Sequence, residues 1–133
     1  MESALWNINS KNIGVLGLSF KPNTDDMRFA PSVDIIRALQ TQGARIRVYD
    51  PHAMKKAGSL IKGVSFCKDS YSVCKGSDCL LILTEWQEFK ELDLIKVKKL
   101  LNQPVIVDGR NIYDPAKMRS LGFRYFSMGR ASC

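Results

Sequence analysis

The sequence predicts a three-layer, doubly wound α/β fold built on a mainly parallel sheet of about six strands. Short apolar runs alternate along the chain with segments of helical periodicity, the pattern of a sheet covered by helices on both faces. The run CLLIL within 78–83 is continuously apolar, as expected of a central strand. With 133 residues and 45% hydrophobic content, the chain can bury the core of one domain, so we expect 1–133 to form a single domain.

Each element has a local signal. The alternating, β-branched run ARIRVY indicates a strand that closes at Asp50-Pro51. Pro31 and Ser32 suit the start of a helix, and Gly43 suits its end. Predicted strands cover 11–18, 44–49, 64–67, 78–83, 104–108 and, at an edge, 123–126. Predicted helices cover 31–41, 53–57, 71–75, 91–101 and 115–121, and the fourth of them has an amphipathic pattern with lysines opposite its apolar side.

Composition argues against several classes of protein. No apolar run reaches the roughly 18 residues of a membrane span, and the N-terminus lacks a signal-peptide pattern, so we expect a soluble, cytoplasmic protein without a membrane partner. The formal charge of +7 comes from scattered Lys and Arg, which predicts a small phosphorylated ligand rather than nucleic acid. The four cysteines form no C-x-x-C pair and His52 lies far from them, which indicates free thiols and no metal site.

Three loops that follow predicted strands carry the polar side chains suited to a ligand. They are 19–28 after the first strand, 84–86 after the apolar strand and 109–111 after PVIVD. Because ligands of parallel sheets bind beyond the carboxyl ends of the strands, we expect these loops to converge at one edge of the sheet.

The first and third of these loops each allow two interpretations. Lys21 and Arg28 flank Asp25 and Asp26, so the first loop could be braced by internal ion pairs, or could hold an anion before a helix start. Arg110 follows Gly109, which permits close backbone approach, so its guanidinium could reach a base, ribose or phosphate. The alternative is a surface arginine paired with Asp108 or Asp114.

The first strand lacks a complete dinucleotide fingerprint. Gly14 and Gly17 are present, but the third glycine that opens a helix directly on a pyrophosphate is missing, which argues against NAD binding in the usual mode. Asp50 stands where a ribose-binding acid would stand, yet Asp-Pro is equally a strand-ending turn, and the incomplete fingerprint favours the turn.

Other residues that could carry chemistry have a simpler interpretation. Trp86 and Phe89 could stack on a ligand base, but we expect them to cap the core at a strand–helix junction. Cys67 has no histidine base nearby in sequence and falls on a predicted strand, so we expect a buried structural thiol. His52, alone in a turn, is expected to be solvated.

Four motifs carry a resemblance to a known family. The runs VLGLSFKPNTDDMRFAPSVDIIRAL, VYDP, SDCLLILTEWQEF and VIVDGRNIYDP occur in this order. Together they resemble the C-terminal domain of UDP-glucose 6-dehydrogenases, in the wider family that also contains GDP-mannose and UDP-N-acetylmannosamine dehydrogenases. The resemblance covers about Lys11 to Arg130, and TEW and DGRN tie it to the UDP-glucose branch.

The resemblance implies a Rossmann-like domain that binds the UDP-sugar. Phe20 and Lys21 resemble the pair that contacts the UDP-sugar, and Arg110 resembles the DGR arginine on the same ligand. Arg28 resembles a residue that reaches NAD held by the N-terminal domain. Residues 1–11 look like the remnant of a preceding helix or linker.

Enzymes of this family convert UDP-glucose to UDP-glucuronate with two NAD, through a cysteine-bound thiohemiacetal and thioester. The motif with that cysteine and the NAD-binding domain are not in this sequence, so the resemblance implies no catalytic residue here and no activity of the chain alone. Its implied partners are the N-terminal and central domains of a homo-oligomeric enzyme.

Three hypotheses of function remain open. The first is a nucleotide-binding module, which predicts weak UDP binding and no NAD reduction. The second is a structural or protein-interaction module without a ligand. The third, a complete small dehydrogenase, is disfavoured by the missing motifs. A UDP-N-acetylmannosamine or GDP-mannose dehydrogenase is the alternative parent enzyme.

Overall fold

The predicted strands all occur and pair in parallel. The computed structural model describes residues 11–18, 32–51, 53–84 and 86–127. The strands are β1 Asn12–Leu16, β2 Arg45–Tyr49, β3 Ser65–Phe66, β4 Cys79–Ile82, β5 Val105–Asp108 and β6 Arg124–Ser127. The helices are α1 Ser32–Thr41, α2 Met54–Leu60, α3 Ser70–Cys74, α4 Gln87–Lys90, α5 Leu94–Leu100 and α6 Pro115–Ser120.

The strand order creates a switch point at the centre of the sheet. Within the described ranges the six strands run in the order β3-β2-β1-β4-β5-β6, and each neighbouring pair is parallel. The chain therefore winds outward from β1 in one direction and from β4 in the other. Ligands of such sheets bind beyond the carboxyl ends of the two strands at the reversal. The predicted doubly wound class is confirmed, and the described sheet is parallel throughout rather than mainly so.

Two hydrophobic cores lie on opposite faces of the sheet, as the three-layer prediction requires. On one face α1 and α2 pack through Ile36, Leu39 and Ala57 against alternate strand residues. On the other face α3 to α6 contribute their apolar residues. The central strand β4 is buried at every position because its side chains alternate between the two cores.

The predicted helix 91–101 is wrong at its start. Leu94 begins α5 because the Asp93 carboxylate caps it, accepting hydrogen bonds from the backbone N–H groups of Ile95 and Lys96 at 3.1 and 3.2 Å. A separate short helix, α4, precedes it and was not predicted, since four residues are too few for a periodic signal. The other boundaries shift by up to three residues at either end, which is the usual uncertainty of helix and strand ends.

The described ranges contain neither a membrane-spanning helix nor a cluster of metal ligands. None of the helices there is long and apolar enough to cross a membrane. In the same residues, no group of three His, Cys, Asp or Glu side chains lies close enough to hold a metal ion.

Candidate functional site

The carboxyl ends of β1, β4 and β5 meet at one edge of the sheet. The Leu83 N–H donates to the Leu16 carbonyl at 2.9 Å, and the Gly109 N–H donates to the Ile82 carbonyl at 2.8 Å. A Cβ atom on Gly109 would lie 2.9 Å from that Ile82 oxygen, so the close approach of the β5 end to β4 requires glycine. The three described strand ends therefore lie side by side, while loop 19–28 and Glu85 lie outside the described residues.

Leu18 is fixed at both of its peptide groups where the chain leaves β1. Its N–H donates to the Asp50 carboxylate at 2.8 Å, and its carbonyl accepts from the Ser32 hydroxyl at 2.5 Å. Ser32 is the first residue of α1 and is 1% exposed. The two ends of segment 19–31 are therefore joined by a hydrogen bond. We call Leu18, Ser32 and Asp50 the loop-base clamp.

Asp50, at the end of β2, joins three separate parts of the chain. One oxygen, Oδ2, accepts from the Leu18 N–H and from the Trp86 indole N–H at 3.2 Å, while Oδ1 accepts from the Ala53 N–H at 2.8 Å. The carboxylate is 0% exposed, so it faces the protein interior rather than a ribose. The prediction that Asp50-Pro51 is a turn is confirmed, although the carboxylate also reaches well beyond that turn.

Asp108 holds the loop that follows β5. Its carboxylate accepts from the backbone N–H groups of Arg110, Ile112 and Tyr113 at 3.0, 2.8 and 3.1 Å. The Tyr125 hydroxyl donates to the same group at 2.6 Å. Asn111 takes the left-handed conformation with φ of 57°, which asparagine tolerates better than most residues. This buried aspartate therefore folds 109–113 into a fixed turn, which we call the Asp108 turn.

Arg110 is the one predicted site residue that the structure describes. It lies half-buried on the Asp108 turn, at the carboxyl edge of the sheet and one strand away from the switch point. Its described contact with Asp108 is made by the backbone N–H rather than by the guanidinium. Phe20, Lys21 and Arg28, with Asp25, Asp26, His52 and Glu85, lie outside the described residues.

The glycines of β1 serve packing rather than a dinucleotide cradle. A Cβ atom on Gly14 would lie 2.7 Å from the Val73 side chain, and one on Gly17 would lie 2.5 Å from that of Thr84. Gly17 also has φ of +96°. Close packing against Val73 and Thr84 therefore accounts for both glycines.

The aromatic residues after β4 belong to the core, as predicted. Trp86 is 5% exposed and Phe89 is 0% exposed, and the Phe89 ring meets the ring of Tyr49 edge-on at 6.2 Å. The Tyr49 hydroxyl donates to the Glu88 carboxylate at 3.1 Å. Burial first, and then the Glu88 charge, raise the pKa of Tyr49 to about 12. The rigid Trp86 indole places its N–H on Asp50, beside the loop-base clamp.

The described cysteines are free thiols without the environment of a nucleophile. Cys74 and Cys79 are buried and burial raises the pKa of each to about 12. Cys67 is only half-buried, and it follows β3 rather than lying on a strand, which corrects both parts of that prediction. Burial also raises the pKa of the Cys67 thiol, which disfavours the thiolate that a nucleophile requires.

Sequence reasoning missed Ser32 and the wider role of Asp50. Both act on backbone groups far away in sequence: Leu18 lies 32 residues from Asp50 and 14 from Ser32, and Trp86 lies 36 residues from Asp50. The available signal was an aspartate at the end of each of two predicted strands, Asp50 and Asp108. Such a residue is well placed to accept from the loops that follow neighbouring strands.

Comparison with known proteins shows the family of the chain and agrees with its fold. Residues 14–115 match the model of the UDP-glucose/GDP-mannose dehydrogenase family, UDP binding domain. The chain is 45% identical over 129 residues to a UDP-glucose 6-dehydrogenase of Bacillus subtilis, which covers 96% of this chain and 28% of that protein. The corresponding enzyme of Rhizobium meliloti is 46% identical over 130 residues, with 98% and 30% covered.

A solved structure shows the same fold. The UDP-glucose dehydrogenase of the archaeon Pyrobaculum islandicum matches with a TM-score of 0.78 and 35% identity, over 94% of this chain and 27% of that one. The chain spans less than a third of the length of these relatives. The resemblance predicted from the four motifs is confirmed: the chain belongs to the UDP-glucose/GDP-mannose dehydrogenase family, as its C-terminal, UDP binding domain.

Proposed function

We propose that this chain binds the UDP part of a UDP-sugar as one domain of an NAD-dependent UDP-glucose 6-dehydrogenase. The observation that carries the proposal is the convergence of three strand ends at the switch point, with Arg110 held beside it by the Asp108 turn. A guanidinium there lies where a diphosphate is expected in a parallel sheet. Lys21, only three residues after the fixed Leu18, is proposed as the second cation, and Phe20 as its neighbour on the ligand.

The proposed division of labour leaves the oxidation to other domains. The space beside Gly14 and Gly17 is occupied by the side chains of Val73 and Thr84 and is not open to a pyrophosphate. We therefore assign NAD binding to an N-terminal domain, with Arg28 reaching across to the NAD. None of the described cysteines has the lowered pKa of a nucleophile. We therefore propose that this domain contains no catalytic residue and does not reduce NAD alone.

The identity of the sugar rests on similarity alone. The relatives of Bacillus subtilis and Rhizobium meliloti are named UDP-glucose 6-dehydrogenases, which favours UDP-glucose over UDP-N-acetylmannosamine or GDP-mannose. A single domain over 1–133, a remnant helix or linker in 1–11, a homo-oligomeric parent enzyme, a cytoplasmic location and a role in polysaccharide biosynthesis remain predictions.

Titrating UDP into the 133-residue chain by calorimetry tests the proposal. We expect weak binding, with a dissociation constant of about 0.1 to 1 mM, since one domain supplies only part of the substrate site. Lys21→Ala and Arg110→Ala should each weaken it about tenfold, the effect of losing one charge-assisted hydrogen bond.

Arg45 provides the matched control. It is exposed at the amino end of β2, on the opposite edge of the sheet, so Arg45→Ala removes the same charge without touching the site. Affinity that falls equally in all three variants would show a general charge effect, and affinity unchanged in all of them would place UDP elsewhere. Absorbance of NADH in a mixture with UDP-glucose and NAD should not rise; a rise would revive the complete dehydrogenase.

The alternative of a pure interaction module makes a different prediction. Light scattering with and without UDP should then show the same oligomer, and calorimetry should show no heat of binding.

A further inference from the structure

The loop-base clamp occupies the point from which the proposed ligand-binding segment departs. Leu18 is the last described residue before segment 19–31, and Ser32 is the first after it. The Leu18 N–H is held by Asp50 and its carbonyl by Ser32, so the position and the direction of the chain are both set there. With Leu18, Ser32 and Asp50 all 0 to 1% exposed, water cannot substitute for a lost partner without rearrangement.

We infer that Asp50 and Ser32 are positioning residues for nucleotide binding, acting through Leu18 on Phe20 and Lys21. The inference rests on the proposed function. Because Lys21 is three residues from Leu18 and three residues reach up to about 10 Å, a small rotation at Leu18 would move the Lys21 ammonium by ångströms. A charge-assisted hydrogen bond weakens steeply over such a displacement, so the affinity for a diphosphate depends on the clamp.

Trp86 extends the clamp to the second strand of the switch point. Its indole N–H and the Leu18 N–H donate to the same Asp50 oxygen, Oδ2. The other oxygen accepts from the Ala53 N–H, which orients the carboxylate. Leu18, after β1, and Trp86, after β4, are therefore held together by one side chain that follows β2, and both lie beside the place where the ligand is proposed to bind.

Two serines of the chain form a matched pair for testing this inference. Ser32 and Ser77 are 1% and 0% exposed, and each donates its hydroxyl to a backbone carbonyl, of Leu18 at 2.5 Å and of Val73 at 2.6 Å. Ser77 precedes β4 and lies at the amino edge of the sheet, away from the loops. Ser32→Ala and Ser77→Ala thus remove the same chemistry and differ only in place.

The experiment compares the wild-type chain with Ser32→Ala, Asp50→Asn and Ser77→Ala. UDP affinity is measured by calorimetry and hydrogen exchange of the Leu18 amide by NMR, with the Val15 amide as internal reference. We expect the dissociation constant to rise about tenfold in Asp50→Asn and about fivefold in Ser32→Ala, and to stay within about twofold in Ser77→Ala. Exchange at Leu18 should accelerate in the first two variants only, although both serine variants lose similar thermal stability.

The outcomes separate the inference from the proposed function. If the wild type binds UDP and all three variants bind it equally well, the positioning role is wrong while the proposed function stands. If the wild type binds no UDP, the proposed function is wrong, and exchange at Leu18 alone decides whether the clamp exists. Unchanged exchange in both Ser32→Ala and Asp50→Asn overturns it in either case, and Ser32→Ala suffices should Asp50→Asn fail to fold.

Discussion

Asp50 and Asp108 are buried aspartates at the carboxyl edge of the sheet. They occupy equivalent positions at strand ends, but their carboxylates bind different kinds of partner. They end β2 and β5, the strands on either side of the central pair β1 and β4, and both are 0% exposed. Asp108 accepts backbone N–H groups only two to five residues away, with the Tyr125 hydroxyl added. Asp50 accepts from groups 32, 3 and 36 residues away. One aspartate folds a loop, whereas the other holds separate loops together.

The difference shows how the proposed site is assembled. Arg110 is placed by its own loop, because the Asp108 turn fixes the backbone that carries it. Leu18, the last described residue before the segment that carries Lys21, is instead held by Asp50 after β2 and by Ser32 of α1. We therefore expect loss of Asp108 to lower the free energy of unfolding more, but to loosen only its own turn. Loss of Asp50 should lower the free energy of unfolding less, but loosen several loops at the carboxyl edge.

The largest expected effect is that of Asp108→Ala. It leaves three backbone N–H groups without their carboxylate acceptor, while the Tyr125 hydroxyl can still donate to the Tyr113 carbonyl at 3.1 Å, so we expect the free energy of unfolding to fall by about 3 to 4 kcal/mol. Urea denaturation followed by circular dichroism measures this. A loss below about 1 kcal/mol would mean that water replaces the carboxylate and that the turn is not held by it.

Asp50→Asn comes next, with an expected loss of about 2 kcal/mol, because an amide can accept at only one of the two oxygen positions and turns a donor toward another donor. The two aspartate variants should also differ in which N–H groups exchange faster. Faster hydrogen exchange should appear at Leu18, at Ala53 and at the Trp86 indole, whereas Asp108→Asn should speed exchange at Arg110, Ile112 and Tyr113. If the same amides exchanged faster in both variants, the two aspartates would not differ in the loops that they hold.

Tyr125→Phe tests the one distant donor of the Asp108 turn. It removes the hydroxyl and keeps the ring that packs in the core, so the expected loss is about 1 to 2 kcal/mol by thermal or urea denaturation. Arg110 should remain in place, since its own N–H bond to Asp108 is untouched. UDP affinity that drops as far as in Arg110→Ala would show that the turn depends on Tyr125 after all.

The smallest effect is a pH dependence of two tyrosines next to these regions. Burial and Glu88 raise the pKa of Tyr49 from 10.0 to about 12, and burial together with Asp108 raises the pKa of Tyr113 further. Since the folded state favours the protonated phenol, the stability contributed by Tyr49 is complete below pH 10 and is lost as the pH rises toward 12.

Ultraviolet titration of the wild type and Tyr49→Phe measures this contribution. A step near pH 12 should vanish in the variant, while Tyr113 should ionise only when the chain unfolds. Ionisation of Tyr49 near pH 10 would contradict its burial against Phe89 and Glu88.

The sequence was sufficient for the fold and for part of the site, for reasons that particular residues show. The hydrophobic periodicity and the apolar composition of the sequence predict each strand, because burial of a strand dictates its own residues. The continuous apolar run of β4 is an example. The location of Arg110 at the carboxyl edge of the sheet could be predicted, since a glycine and a buried strand precede it directly. The role of Ser32 could not, because its partner Leu18 becomes a neighbour only after α1 has packed back on the sheet.

We propose that Lys21 and Arg110 hold one diphosphate at the switch point between β1 and β4. A crystal structure of the 133-residue chain with UDP bound tests it most directly. We predict the pyrophosphate beyond the carboxyl ends of β1 and β4, within hydrogen-bonding distance of both cations. UDP bound at another place, or the two side chains on opposite faces of the sheet, would contradict the account.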